Sequence, residues 1–159
     1  MVKRFGDRAT FAVEVGPADG TGLRTVDLWL AGKRLTVDDN AAYVPSVRHA
    51  MRTTAARVRR RDLAPRPFPD RSPEETFGVL LANQTGFRER YWFLNLTEIV
   101  DNTTRYAWLD GDRLVVVFAF WRPTHPEPSE IDLPFVAKLG PDDLAAALEA
   151  AADYLNDGD

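Results

Sequence analysis

The sequence predicts an α+β single domain spanning residues 1–159, with an antiparallel or mixed sheet of about five to seven strands and about three helices packed on it. Three observations predict it. Apolar residues alternate with period two near the N-terminus and again after residue 90, and they recur at three- and four-residue steps in three other segments. A chain of 159 residues with 45% hydrophobic and 11% aromatic content can bury a core without disulfides or metal, and it has no cysteine.

Residues 10–15 set Phe11, Val13 and Val15 against Ala12 and Glu14, as a half-buried strand does. A glycine-rich loop over 16–22 leads to a second strand at 25–30, with Val26, Leu28 and Leu30 on one side and Asp27 and Trp29 on the other. The turn Ala31-Gly32-Lys33 passes to a short strand at 34–37, so the first third reads as an antiparallel meander. From 45 to 61 the period changes: Val47, Met51, Thr54 or Ala55, and Val58 form one narrow apolar stripe on a helix that begins at Pro45.

Prolines 65, 67, 69 and 73 make residues 63–73 an extended connector. Ser72 then caps a short helix at 73–83, with Pro73 in the first position and Glu74 and Glu75 near the positive end of the helix dipole. Residues 90–99, aromatic and β-branched, read as a strand. Strands at 105–109 and 113–121 flank Asp110-Gly111 as a tight hairpin, and the second is apolar on both faces, as a central strand should be. A proline-rich loop over 123–128 carries His125, an edge strand follows at 131–137, and a helix at 141–155 closes the fold.

Charge is distributed in blocks. Residues 1–71 hold 14 bases and 8 acids, residues 72–124 hold 5 and 7, and residues 125–159 hold 1 and 9, so a net charge of −4 hides a gradient from +6 to −8. Such a gradient either steers a charged macromolecule or is neutralised where the two ends of the chain fold together. Arg48, Arg52, Arg57, Arg59, Arg60 and Arg61 form the densest basic cluster. An acidic pI of about 5.2 argues against nucleic acid as its partner.

Catalytic chemistry has little to stand on. His49 and His125 lie far apart and outside any metal-binding spacing, and both read as polar surface residues; Ser46 near His49 is given no nucleophilic role. The acid pairs Glu98 with Asp101 and Asp110 with Asp112 are accounted for by a strand end and a turn. No catalytic residue, metal site or cofactor is therefore expected. The N-terminus has no apolar stretch behind its basic residues and the longest apolar run, 114–121, is too short to span a bilayer, so a soluble, cytoplasmic protein without a membrane partner is expected.

The opening Phe5-Gly6-Asp7-Arg8-Ala9-Thr10-Phe11-Ala12-Val13-Glu14, followed by Leu28-Trp29-Leu30-Ala31-Gly32-Lys33, resembles an immunity-protein family of bacterial polymorphic toxin and contact-dependent inhibition systems. The resemblance covers about the first 35 residues, and beyond residue 45 the order of elements supports it. It implies a small antidote made beside its toxin, binding the cognate toxin domain so that the active site or substrate groove is blocked. The family motifs are structural and transfer no catalytic residue.

Three surfaces stand as candidates for the partner. If the toxin is a basic nuclease or deaminase, the acidic segment 127–159, and within it Glu130, Asp132, Asp142 and Asp143, imitates its nucleic-acid substrate. The helix bearing Arg48 and Arg52 is the alternative, and Trp29, facing away from Val26, Leu28 and Leu30, is the exposed aromatic. Readings from other classes are a small carboxylate-based hydrolase or transferase, and a nucleic-acid binder using the arginine-rich helix.

Overall fold

The computed structural model describes residues 1–157; Gly158 and Asp159, the end of the acidic segment, lie outside the described residues. The fold is α+β, as the sequence predicts, and its eight strands divide between two antiparallel sheets. In the larger sheet β1 (Lys3–Asp7), β2 (Phe11–Val15), β3 (Leu23–Leu30) and β4 (Lys33–Arg34) follow one another, and β5 (Ala41–Tyr43) also pairs with β3. The smaller sheet is β6 (Thr103–Asp110), β7 (Arg113–Phe120) and β8 (Phe135–Leu139), with β7 in the middle. Helices α1 (Val44–Arg59), α2 (Pro73–Ala82) and α3 (Pro141–Asp157) complete the described chain. None of them is long and apolar enough to cross a membrane.

Strand β1 escapes the periodicity because an edge strand that is mostly exposed has no apolar alternation to show. Phe5 alone turns inward, against Tyr154 of α3 at 5.6 Å between ring centres. Lys3 and Arg4 guard the free edge against pairing with other chains. Gly6 sits opposite Ala12 at φ 93°, and a Cβ there would lie 2.3 Å from the Phe11 carbonyl oxygen. Asp7 fixes the following turn by accepting from the Ala9 N–H at 2.8 Å, and its own carbonyl accepts from the Thr10 N–H at 3.0 Å.

Both sheets, α1 and α3 share one large core. Phe11, Val13, Val15, Val26, Leu28 and Leu30 supply its floor, and Val47, Met51, Ala55 and Val58 of α1 face it as their spacing predicts. Leu114, Val116, Phe118 and Phe120 of β7 enter the same core, whereas Val115 and Val117 point the other way into a second core with Tyr106, Trp108, Phe77 and Leu80. Strand β7 is apolar on both faces for that reason. Helix α2 covers the second core, and Ser72 caps it with a full capping box to Glu75.

Three local expectations need correction. The loop of the β6–β7 hairpin is Gly111-Asp112, between the paired Asp110 and Arg113, and of the two only Gly111 has positive φ (62°), the pattern of a turn with glycine first. The last strand lies at Phe135–Leu139 and not over 131–137, because Pro134 has no N–H for the ladder and Asp132 turns at φ 62°. Residues 90–99 are not a strand. They lie in a 3-10 turn at Gly86–Tyr91, an irregular stretch, and a second such turn at Glu98–Val100. Tyr91, Phe93, Leu94 and Leu96 are apolar because they plug the two cores from a loop, and Leu94 (φ 57°) and Thr97 (φ 69°, ψ −168°) cannot join a ladder.

Candidate partner-binding surface

The arginine helix and the acidic helix lie side by side. Arg48 donates to the Asn156 side chain at 2.9 Å, Arg52 lies 3.4 Å from Asp153, and Arg59 donates to Glu149 at 2.6 Å. Arg61 grips Asp142 with two parallel bonds of 3.0 and 3.2 Å. This last contact explains the end of α1: Arg61 takes φ 55°, normally a glycine position, while the Arg61 and Asp62 N–H groups close the helix onto Val58 and Arg57 carbonyls. The Arg61 guanidinium in turn holds the Asp142 carboxyl below its ordinary pKa. The two ends of the charge gradient thus meet along one seam, in which Arg52 and Asp142 are paired with opposite charge and Arg48 is tied to the neutral Asn156 amide.

The other sequence candidates are dispersed. Asp143, exposed and in no ion pair among the described residues, stands on the rim of a cleft of about 550 Å3 between the β1–β2 hairpin and α3. Asp132 is exposed on the positive-φ turn before β8. Glu130 is turned inward: it accepts from Lys33 at 2.5 Å and contacts His125 Nε2 at 2.9 Å, and the His125 hydrogen bond, followed by that of Lys33, lowers its pKa. His125 is not a surface residue. It is buried, with its ring stacked 4.0 Å from that of Phe120, and with Glu130 it pins the 122–134 loop to the β3–β4 turn. His49 is exposed on α1.

Trp29 faces the outer side of the larger sheet, as its alternation predicts, but the Arg8 guanidinium covers its ring at 4.2 Å. Arg8 also holds Glu14 in a two-pronged contact of 2.7 and 2.8 Å, and Arg4 adds a third bond of 2.7 Å. Next to them, across the β2–β3 pairing, Asp27 receives Thr36, Asn40 and Arg34. Glu14 is therefore nearly buried yet ionised, its pKa lowered to about 2 chiefly by the Arg8 hydrogen bond. Sequence reasoning misses this cluster, because its signal is the opposition of Arg4 and Glu14 on paired strands and the exposed β1 shows no apolar alternation.

This geometry sets a pH dependence. A carboxylate whose folded pKa is depressed adds stability above its ordinary pKa and loses it as pH falls toward the folded value. Glu14→Gln should cost about 1–2 kcal/mol near neutral pH, a figure reduced because both arginines are half exposed to water. The gap from the parent should close between about pH 4.5 and about pH 2. Urea denaturation across that range checks it, and a gap unchanged at the acid end would remove Glu14 as its source.

The most distorted backbone lies between the cores, over residues 92–97. Thr97, a β-branched residue, occupies a region that glycine alone visits freely, and Leu94 is left-handed, each at a cost of about 1–3 kcal/mol. Arg105 holds this stretch from β6, donating to the carbonyls of Phe93 at 3.0 Å, Val100 at 2.6 Å and Thr103 at 2.8 Å. Arg57 holds it from α1 by a 3.2 Å bond to the Trp92 carbonyl. Burial pushes the Arg105 pKa down to about 10, so it stays charged at neutral pH.

No family model and no curated protein matches the sequence. Among solved structures, the crystal structure of CdiI from Burkholderia dolosa AUO158 superposes with a TM-score of 0.66, over 95% of this chain and 99% of that one. The chain has the CdiI fold. Identity between the two is 9%, so what they share is the arrangement of strands and helices and not a set of side chains. CdiI is a contact-dependent inhibition immunity protein, the class that the opening motif resembles. On the CdiI fold as this chain builds it, α1 is a ridge with two flanks. One flank carries the paired seam with α3, and the other faces the strained stretch through His49, Thr53 and Arg57.

Proposed function

We propose that the chain is an immunity protein, an inhibitor and not an enzyme, that binds a cognate bacterial toxin domain inside the cell and blocks its active site or substrate groove. The observation that carries this reading is the CdiI fold extending over nearly the whole of both chains. A rigid framework with two cores, bearing charged side chains fixed by mutual bonds, suits a surface that must match another protein without rearrangement. Of the residues singled out in the sequence, Arg48 and Arg52 on the seam, with Asp142, Asp143 and Asp132, are the ones exposed enough to touch a partner. Glu130 and Trp29 are engaged within the molecule, by Lys33 and His125 and by Arg8.

The test is protection. The toxin domain encoded beside this gene is expressed from an inducible promoter with and without the chain, and growth is followed. Rescue, together with a 1:1 complex on gel filtration, is the expected result. Unchanged killing and no complex would overturn the reading.

A further inference from the structure

We propose that Trp92 and the arginines around it form the anchor of the toxin interface, and that they receive a carboxylate-bearing surface of the toxin domain. The proposal rests on the reading of the chain as an immunity protein. Trp92 is one of the exposed large apolar side chains, at 43%, and its backbone is fixed from three sides. Its carbonyl is held by Arg57, its N–H donates to the Glu89 carbonyl at 3.4 Å, and it bridges to Tyr106 of β6. An exposed tryptophan on a fixed backbone, flanked by arginines, has the composition of an interface hot spot.

Many arginines are neutralised: Arg4 and Arg8 by Glu14, Arg34 by Asp27, Arg52, Arg59 and Arg61 by α3, and Arg122 by Asp38. Arg24, Arg48, Arg71 and Arg113 have no carboxylate partner among the described residues, and Arg24 and Arg48 donate to neutral oxygens. Around Trp92 four arginines lack a carboxylate together. Arg57, Arg88 and Arg105 donate to carbonyl oxygens, Arg90 lies over the Phe87 ring at 5.7 Å, and among the described residues none of the four comes within ion-pair distance of a carboxylate. Glu89 is the single acid of the turn, and the field of Asp101 reaches Arg105 without pairing. The patch is left with surplus positive charge, and a carboxylate from outside completes it.

Shape adds a third observation. Beside Trp92 lies a cleft of about 280 Å3, lined by His49, Thr53, Arg57, Phe93, Leu94 and Asn95, on the flank of α1 away from the seam. The left-handed Leu94, in the same strained stretch as Thr97, makes part of one of its walls. Strain held in place by two arginines is spent on presenting that wall and Trp92 in a fixed pose. An acidic surface of a protein is favoured over nucleic acid because the chain as a whole is acidic, with a net charge of −4, and would repel a polyanion away from this patch.

Calorimetry with the purified full chain and the toxin domain encoded beside it tests the idea. Trp92→Ala should bind about thirty-fold more weakly or worse, and Trp92→Phe should keep most of the affinity. Arg90→Glu should lose about ten-fold and flatten the salt dependence, while Lys3→Glu on the far sheet edge should match the parent. The Arg90 side chain is exposed and makes no hydrogen bond among the described residues, so its variant separates binding from folding even if Trp92→Ala melts early. If the parent binds and both Trp92→Ala and Arg90→Glu bind equally well, the anchor is elsewhere while the immunity function stands. If the parent does not bind the toxin domain at all, function and anchor fall together. Tight, steeply salt-dependent binding of a single-stranded RNA of about twelve nucleotides, lost in Trp92→Ala, would reassign the patch to nucleic acid and overturn the proposal.

Discussion

Gly6→Ala is expected to destabilise the protein by about 3–5 kcal/mol, enough to leave much of it unfolded at physiological temperature. Two effects add. The residue holds φ 93°, which side chains rarely adopt, and the new Cβ would meet the Phe11 carbonyl oxygen at 2.3 Å. That oxygen belongs to the backbone of β2, which is paired on both sides with β1 and β3, so it cannot swing aside as a side chain would. Gly32→Ala supplies the comparison: its φ is 79°, but nothing lies within 4 Å, and it should cost only about 1 kcal/mol. Urea denaturation of the two variants measures the difference. Equal losses would show that the close approach of the hairpin strands is not what requires glycine.

The second large effect is expected at Arg105. Arg105→Met leaves the Phe93, Val100 and Thr103 carbonyls without their charged donor, at about 1–3 kcal/mol for each group that stays dry. Part of this is offset by no longer desolvating a guanidinium that has no carboxylate beside it, so a net loss of about 3 kcal/mol is expected. Hydrogen exchange should locate the damage: amides of residues 93–103 should lose protection, while those of β2 and β3 exchange only at the rate set by global stability. Arg105→Lys keeps the charge but cannot span three carbonyls, and should fall between the two. A uniform loss of protection across the chain would mean that Arg105 does not serve this segment in particular.

Much of the fold was legible because its strands and helices are amphipathic in the ordinary way. The stripe Val47, Met51, Ala55, Val58 and the alternation of Phe11, Val13 and Val15 report burial directly, and the Ser72–Glu75 box reports a helix start. Strand β1 was hidden because its stability comes from pairing with β2, which leaves no trace in its own residues. The stretch 90–99 misled for the opposite reason. Its residues are apolar and β-branched as a strand's are, but they fill two cores from an irregular loop, and the arginines that make such a loop possible are supplied by β6 and α1.

The candidate surface was legible in composition and not in arrangement. Counting charges revealed an arginine helix and an acidic tail, but whether they act outwardly or on each other depends on α1 and α3 being neighbours. Trp29 was rightly placed on the outer face, while its cover by Arg8 came from the unrecognised β1–β2 hairpin. Trp92 was concealed inside an apparent strand. Glu130 and His125 look solvent-directed in a proline-rich loop, and only the Phe120 ring and the Lys33 ammonium draw them inward.

The seam between α1 and α3 also bears on how the protein is made. Arg52 and its acidic partner Asp153 are 101 positions apart, so during synthesis the basic helix leaves the ribosome long before the segment that neutralises it. At roughly 5–20 residues per second that delay is on the order of 5–20 s. Until then the arginines of α1 lack the acidic partners that α3 supplies. Packing of α3 against α1 helps to cover the Val47–Val58 stripe and offsets these arginines in one step.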